Sequence, residues 1–199
     1  MSEVTEFLSE NSDMGQAFQE FATQHQTLAE VWENCTRSDW LLWILYKRKY
    51  RNAEKLERYI GWLRNQVQEY DDKEIVEMWL TDFDAYKVYS AEQIDKDLEQ
   101  GTITQGDARY SRFIGAWSMA YSVSDFVLRK SVDKAIWSNI GKRMARGLAG
   151  EELHPSDIDA VEIRFAGMKN QAGKLRELIG NPFVPERSED FYYGRGQIG

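Results

Sequence analysis

The feature that most restricts how this chain can fold is a run of seven consecutive apolar or aromatic residues, Trp40 to Tyr46. Asp39 precedes the run and a basic segment, 47–51, follows it at once. A membrane-spanning helix needs about 20 apolar residues, so this run is far too short to cross a bilayer. A helix that is apolar on all sides is instead buried inside a protein. The run therefore predicts a buried central helix, with Thr36 or Ser38 as its N-cap.

Helical spacing continues on both sides of this run. Large apolar side chains recur three and four residues apart, as the buried face of an amphipathic helix requires. The clearest stripes lie at 56–70, 75–89, 110–121, 132–148 and 158–179. No stretch shows the period of two that is expected of a half-buried strand. We therefore predict an all-α fold without a sheet, either an antiparallel multi-helix array or bundle or a solenoid-like stack.

Side chains that accept hydrogen bonds from free backbone N–H groups mark the predicted helix starts, and glycines mark two ends. The predicted starts are Asp13, Thr27 with Glu30, Asp71 with Asp72, Ser90 with Gln93, and Ser156. The predicted ends are Gly101 and Gly180. We predict one helical domain over residues 1–184, with a subdivision near 101–106 as the alternative. Residues 185–199 form a polar, glycine-rich segment that we expect to be a loosely ordered tail.

The last predicted helix has the most regular apolar seam in the chain. Its members alternate spacings of three and four: Ile158, Val161, Phe165, Met168, Ala172, Leu175 and Ile179. Such a heptad pattern pairs with another helix, either within the domain or in a second copy of the chain. Gly167 and Gly173 each lower the intrinsic stability of this helix by about 1 kcal/mol. Docking within the domain is therefore the preferred alternative.

Charge and cysteine content restrict the compartment and the class of partner. The 25 basic and 33 acidic residues give a net charge of −8, which argues against a general nucleic-acid binder and suits a basic protein partner. The single cysteine, Cys35, excludes an intrachain disulfide and fits a reducing compartment. The first residues lack the basic and apolar segments of a signal peptide. We expect a cytoplasmic protein without a membrane partner.

The candidate catalytic and metal-binding residues do not form a convincing group. Glu151-x-x-His154 has the spacing of half a di-iron carboxylate motif, but no glutamate stands three residues before the other histidine, His25. Cys35 falls on an apolar helix face, where a buried thiol is the usual state. Asp82 and Asp84 are two residues apart and point away from each other on a helix. We therefore expect no catalytic residues, no bound metal and no cofactor.

Polar residues at the two ends of the central run are the remaining functional candidates. Arg37 and Asp39 form either a structural ion pair or part of a recognition surface. The basic cluster after the run is favoured by the negative end of the helix dipole, and its interleaved tyrosines make a nucleic-acid patch an alternative. The candidate partner-binding residues are Arg37, Asp39, Lys47, Arg48, Lys49 and Arg51.

The segment Trp32-x-x-Cys35-x-Arg37-x-Asp39-Trp40-Leu41-Leu42-Trp43 resembles the N-terminal signature of a family of immunity proteins from bacterial toxin–immunity systems and phage genomes. The resemblance implies an all-helical, cytosolic protein without known enzymatic chemistry. It also implies that the aromatic signature residues and the cysteine build the core: Trp32, Cys35, Trp40 and Trp43. Residues 175–183 are similar to a helix end in related bacterial helical modules.

We accordingly expect a non-enzymatic inhibitor that binds another protein, either a toxin or, if the gene is from a phage, a host defence factor. An assembly protein that forms homo-oligomers through residues 156–179 is the first alternative. A nucleic-acid-binding accessory protein that uses residues 46–51 is the second.

Overall fold

The computed structural model describes residues 1–67, 69–145 and 160–184, and of 139–145 only the helical backbone. This part of the chain contains eight α-helices and no β-strand, which confirms the all-α prediction. None of these helices has both the length and the apolar character that crossing a membrane requires. The predicted helix start at Ser156 and the predicted tail at 185–199 lie outside the described residues. The helices are α1 (Glu3–Glu10), α2 (Gln16–Ala22), α3 (Leu28–Asn34), α4 (Ser38–Lys47), α5 (Ala53–Arg64), α6 (Tyr70–Glu99), α7 (Gln105–Ala145) and α8 (Ala160–Ile179).

Helix α3 begins at the capping box that the sequence predicts. Thr27 Oγ1 accepts the backbone N–H of Glu30 at 3.2 Å. Glu30 Oε2 accepts the N–H groups of Gln26 at 2.7 Å and of Thr27 at 3.2 Å. These bonds satisfy N–H groups that a helix start leaves open, and those of Gln26 and Thr27 lower the pKa of the Glu30 carboxyl.

The predicted N-caps of α2 and α4 are wrong. Helix α2 has Gly15 at its N-cap, and Asp13 instead forms an ion pair with Lys47 Nζ at 2.6 Å. Neither Thr36 nor Ser38 caps α4: its N-cap is the residue between them, and Ser38 is buried as the first helical residue. Local spacing assigns Asp13 and Ser38 to the starts of these helices, but each side chain instead bonds to a residue distant in sequence, Lys47 and Gln171 respectively.

Helix α6 runs without interruption for 30 residues, so the predicted start at Ser90 is wrong. Ser90 Oγ donates to the carbonyl of Lys87, one turn back, at 3.1 Å, a bond that serine forms inside a helix. No glycine or proline occurs in α6, so nothing in it stops the helix. The predicted start at Asp71 and Asp72 is correct to within one or two residues, although Tyr70 is exposed and does not extend the stripe of α5.

The predicted buried stripe of α6 is wrong at its C-terminal end. Phe83 is buried, whereas Tyr86 and Tyr89 are exposed. Two successive steps of three residues turn a side chain back by about 120° in total around a helix of 3.6 residues per turn. The inward direction passes instead through Ile94, which is buried.

Helices α6 and α7 form an antiparallel pair. Gly101 ends the preceding helix with a φ of +67°, which glycine adopts without strain, and the chain reverses. Contacting residues then follow opposite orders along the two helices. The pairs are Asp95 with Arg112, Tyr86 with Gly115, and Asp72 with Lys130. Helix α7 is 41 residues long and joins the stripes predicted to begin at 110 and 132 into one helix.

Helix α4 lies in the core and packs against α7 and α8, as its apolar run predicts. Its fully buried apolar residues are Leu41, Leu42, Ile44 and Leu45. The indole N–H of Trp117 in α7 donates to the carbonyl of Leu42 at 2.8 Å. Trp40, Trp43 and Tyr46 are only partly buried, so one side of this apolar helix faces outward.

Gln171 of α8 joins three helices inside the core. Its Oε1 accepts the hydroxyl of Ser38 in α4 at 2.8 Å and the hydroxyl of Ser124 in α7 at 2.6 Å. Its Nε2 donates to the Ser124 carbonyl at 3.2 Å. All three side chains are buried, and buried polar groups are tolerated where such bonds are made. These bonds fix the position of α8 along α4 and α7.

Arg176 attaches the C-terminal part of α8 to the end of α3. One guanidinium nitrogen donates to the carbonyls of Trp32 at 3.2 Å and Cys35 at 2.6 Å. Carbonyls at a helix end have no partner within the helix, so this side chain caps α3. Asn181, just after Gly180 ends α8, donates to the carbonyl of Ala29 at 3.1 Å.

The seam of α8 is buried over its C-terminal two thirds. The buried members are Met168, Ala172, Leu175 and Ile179. Val161 and Phe165 remain 63% and 49% exposed. The regular heptad pattern is therefore used mainly within this fold.

The two glycines of α8 provide a matched test of helix packing. A Cβ added at Gly173 meets no atom within 4 Å, so Gly173→Ala should raise the free energy of unfolding by about 1 kcal/mol. A Cβ at Gly167 would lie 2.6 Å from Leu128 Cδ2, so the Leu128 side chain must move. We expect Gly167→Ala to be at least about 1 kcal/mol less stable than Gly173→Ala in urea unfolding. Equal stabilities would contradict the close contact of α7 with α8.

The bonds of Gln171 can be tested by removing first one side and then both. Gln171→Leu leaves two buried serine hydroxyls without their acceptor, so we expect a loss of about 2–4 kcal/mol in urea unfolding. The triple variant Ser38→Ala/Ser124→Ala/Gln171→Leu removes those hydroxyls as well, and it should be more stable than Gln171→Leu alone. A triple variant less stable than the single one would show that Gln171 contributes packing and not hydrogen bonding.

Candidate functional site

Arg37 and Asp39, two of the predicted partner-binding residues, form an ion pair at the start of α4. Arg37 Nε lies 3.1 Å from Asp39 Oδ1, and a second guanidinium nitrogen lies 2.5 Å from Oδ2. The bound carboxylate raises the pKa of Arg37. The guanidinium carbon also lies 4.3 Å from the ring centroid of Trp40, a cation–π distance. About a quarter of each charged side chain is exposed, so a partner can reach the pair.

Aromatic side chains of α4 and α7 meet beside this ion pair. Tyr46 stacks on Trp117 with ring centroids 4.6 Å apart, and Trp117 stacks on Tyr121 at 5.6 Å. Trp43 meets Tyr46 and Trp117 edge to face, at 5.5 and 5.6 Å. We call these four residues and Trp40 the aromatic face. Arg37 lies at one end of it, and Lys47, with its Nζ 5.6 Å from the Trp43 ring, at the other.

The aromatic face follows from two helical spacings. Residues 40, 43 and 46 are three apart and spread over about 120° of α4, and residues 117 and 121 are four apart and lie about 40° from each other on α7. The partly buried bond from the Trp117 indole to the Leu42 carbonyl holds the two sides together. Tyr121 is 36% exposed, and Trp40, Trp43, Tyr46 and Trp117 are each partly exposed. The sequence assigned Trp117 and Tyr121 to an internal stripe and gave no signal that they adjoin α4.

The basic residues after α4 do not form one open cationic patch. Lys47 binds Asp13, and Arg48 Nε is buried without a hydrogen-bond acceptor among the described residues. Lys49 has a φ of +53°. Both Lys49 and Arg51 have an interaction partner. Two tyrosines are interleaved with these basic residues. Tyr46 stacks on Trp117, and Tyr50 is fully buried.

The signature cysteine and the first signature tryptophan lie in the core. Trp32 and Cys35 are fully buried, and the Trp32 ring meets Phe183 edge to face at 5.8 Å. Cys35 Sγ donates to the carbonyl of Arg37 at 3.4 Å. Burial raises the pKa of this thiol to about 11, so it stays protonated at neutral pH, which is the opposite of what a thiolate nucleophile requires.

The remaining predicted metal and acid–base groups stay apart where they are described. Within residues 1–67, 69–145 and 160–184 no cluster of three or more His, Cys, Asp or Glu side chains could hold a metal ion. His25 packs edge to face against Phe21 at 5.0 Å. Glu151 and His154 lie outside the described residues.

One cavity, lined by both apolar and charged side chains, lies between α5, α6, α7 and α8, with a volume of about 360 Å³. Its charged side chains are paired with one another: Lys130 with Asp72 at 2.8 Å and Lys134 with Glu69 at 3.4 Å. Pairs of opposite charge leave the cavity without a net charge to attract an ion. We therefore place the candidate site on the aromatic face.

Comparisons with protein-family models, with curated proteins and with solved structures find no match to this chain. The resemblance of residues 32–43 to immunity proteins therefore stays a prediction.

Cys35 allows a test of the core around α3 by chemical reactivity. A pKa near 11 in place of about 9 lowers the thiolate fraction at pH 8 about 100-fold, so the native thiol should react with Ellman's reagent at least 100-fold more slowly than the unfolded chain. Between about pH 9 and 11 the unfolded state alone loses this proton, so stability should fall as pH rises through that window. Cys35→Ala removes this contribution and is the control. Fast labelling of the folded protein would contradict the burial of Cys35.

Proposed function

We propose that this protein is a non-enzymatic inhibitor that binds another protein through the aromatic face. The observation that supports the proposal is the cluster of Trp43, Tyr46, Trp117 and Tyr121 at the surface, with Arg37 beside it. Tryptophan, tyrosine and arginine are the residues that most often dominate binding energy in protein interfaces. The rings are held by stacking on one another, so little side-chain freedom is lost when a partner binds.

A protein partner fits this surface better than a nucleic acid does. Single-stranded nucleic acids bind by stacking bases on open ring faces beside free cations. Here Tyr46, Trp117 and Tyr121 stack on one another, and Lys47 is bound by Asp13. The net charge of −8 adds repulsion of phosphates.

Binding of another protein is also better supported than self-assembly through the seam of α8. Most of that seam is buried within the chain itself, and Val161 and Phe165 alone remain exposed among its described members. Two side chains bury far less surface than a stable dimer interface requires.

The resemblance to immunity proteins gives the proposal its biological direction. We propose that the partner is a toxin or, for a phage gene, a host defence factor, met in the cytoplasm. Binding would neutralise the partner by covering its working surface, so the chain itself needs no catalytic residues.

The test compares variants that remove equal numbers of exposed aromatic rings. Tagged wild-type protein is used to capture proteins from a bacterial lysate, beside Tyr46→Ala/Tyr121→Ala and the control Tyr70→Ala/Trp137→Ala. Tyr70 and Trp137 are 78% and 71% exposed and lie outside the aromatic face. We expect a captured partner whose affinity for the first variant falls at least about 30-fold, as the loss of an aromatic hot spot predicts. The control should bind it like the wild type.

Co-expression then separates inhibition from simple binding. The captured partner should arrest growth when it is expressed alone, and the wild-type protein should restore growth where the Tyr46→Ala/Tyr121→Ala variant does not. A partner that is harmless, or that binds both double variants equally, would refute the proposal. Thermal unfolding of both variants shows whether either has lost its fold.

A further inference from the structure

Nearly all of the net negative charge of the chain is on one helix. Helix α6 has ten acidic residues and three lysines, which gives ten minus three, or seven, net negative charges, while the whole chain has a net charge of −8. Some of these acids are paired, as Asp72 is with Lys130 and Asp95 with Arg112. Asp82, Asp84 and Glu92 are exposed and have no cationic partner within the described part of the chain. Local acidity of this kind attracts a basic partner.

The same helix exposes large apolar side chains between these acids. Met78, Val88 and Tyr89 are 56%, 63% and 70% exposed. They lie opposite the buried side of α6, which Phe83 and Ile94 define. Residues 78, 85 and 89 are separated by seven and four, so they follow one line along the helix, as the seam of a helix pair does, and Val88 lies about 100° around the helix from Tyr89. We call this side of the helix, residues 78–92, the outer face of α6.

A groove of about 750 Å³ lies between α6 and α7, beside the outer face. Phe83 and Met119 line it, together with Asp82 and Tyr86 from α6 and Tyr121 from α7. Tyr121 also belongs to the aromatic face. The groove therefore reaches from Asp82, beside the outer face, to Tyr121 of the aromatic face.

We infer that the outer face of α6 is a docking surface for a basic amphipathic helix of another protein. The apolar line accepts the apolar side of such a helix, and Asp82, Asp84 and Glu92 flank it to meet lysine and arginine side chains. At about 1.5 Å per residue, the 15 residues of the outer face offer about 22 Å of continuous helix to pack against. A second copy of this chain does not fit, because two α6 helices would bring seven net negative charges against seven.

This inference extends the proposed function by giving the partner a chemistry, and it is tested without that partner. The probe is a synthetic 18-residue amphipathic helix of leucine and lysine, titrated into the full chain by fluorescence anisotropy at low salt. Asp82→Asn/Asp84→Asn/Glu92→Gln is compared with Glu6→Gln/Glu10→Gln/Glu20→Gln, which neutralises three exposed acids of α1 and α2. Both variants change the net charge from −8 to −5, since three negative charges are removed from each.

We expect the α6 charge variant to bind the peptide at least about tenfold more weakly than the wild type, and the α1–α2 variant to stay within about twofold of it. A third variant, Met78→Ser/Val88→Ser/Tyr89→Ser, should also weaken binding at least about fivefold, because it removes the large exposed apolar side chains of the outer face and leaves the charge unchanged. Circular dichroism checks that each variant keeps its helices.

Equal weakening by the two charge variants would overturn the inference, because the peptide would then sense the total charge alone. Full affinity in the serine variant, or no binding of the peptide to the wild type, would overturn it as well. The titration gives its answer even if no partner is captured through the aromatic face, so the two proposals fail separately.

Discussion

The arrangement of α4, α7 and α8 depends on the buried amide of Gln171. Apolar contacts alone specify position weakly, since apolar side chains of similar volume can replace one another at modest cost. An amide that must meet the hydroxyls of Ser38 and Ser124 has one position in which all three are bonded. In that position Arg176 reaches the end of α3, and the aromatic side of α4 stays open. The position of the candidate site therefore depends on a polar contact in the core.

Local spacing was enough to predict the helices and insufficient to predict what their polar residues do. The capping box at Thr27 was predictable because both of its members lie within one turn. Asp13 and Ser38 were assigned wrongly because their partners lie 34 and 133 residues away. The prediction that a helix starts at Ser90 was wrong for a different reason. A capping pattern starts a helix only where the preceding helix has ended.

The candidate site was predictable on one helix and hidden on the others. Trp43 belongs to the run that dominates the sequence and Arg37 lies three residues before that run, but Trp117 joins them only because one particular side of α7 meets α4. In α6 the acidic composition is visible in the sequence, whereas the exposure of Tyr89 is not. Phe83 and Tyr89 satisfy the same apolar pattern, and their exposed fractions are 8% and 70%.

The contacts of α8 have a consequence for how the chain folds during synthesis. Gln171 and Arg176 bind residues 133 and 141 or more positions earlier, among them the end of α3 and the start of α4. At about 5–20 residues per second, a ribosome needs about 7–27 s to make the stretch between Ser38 and Gln171. Throughout that interval α4 lacks its contacts with α8. The nascent chain is most prone to aggregation during this interval, and chaperones that bind exposed aromatic segments can bind it then.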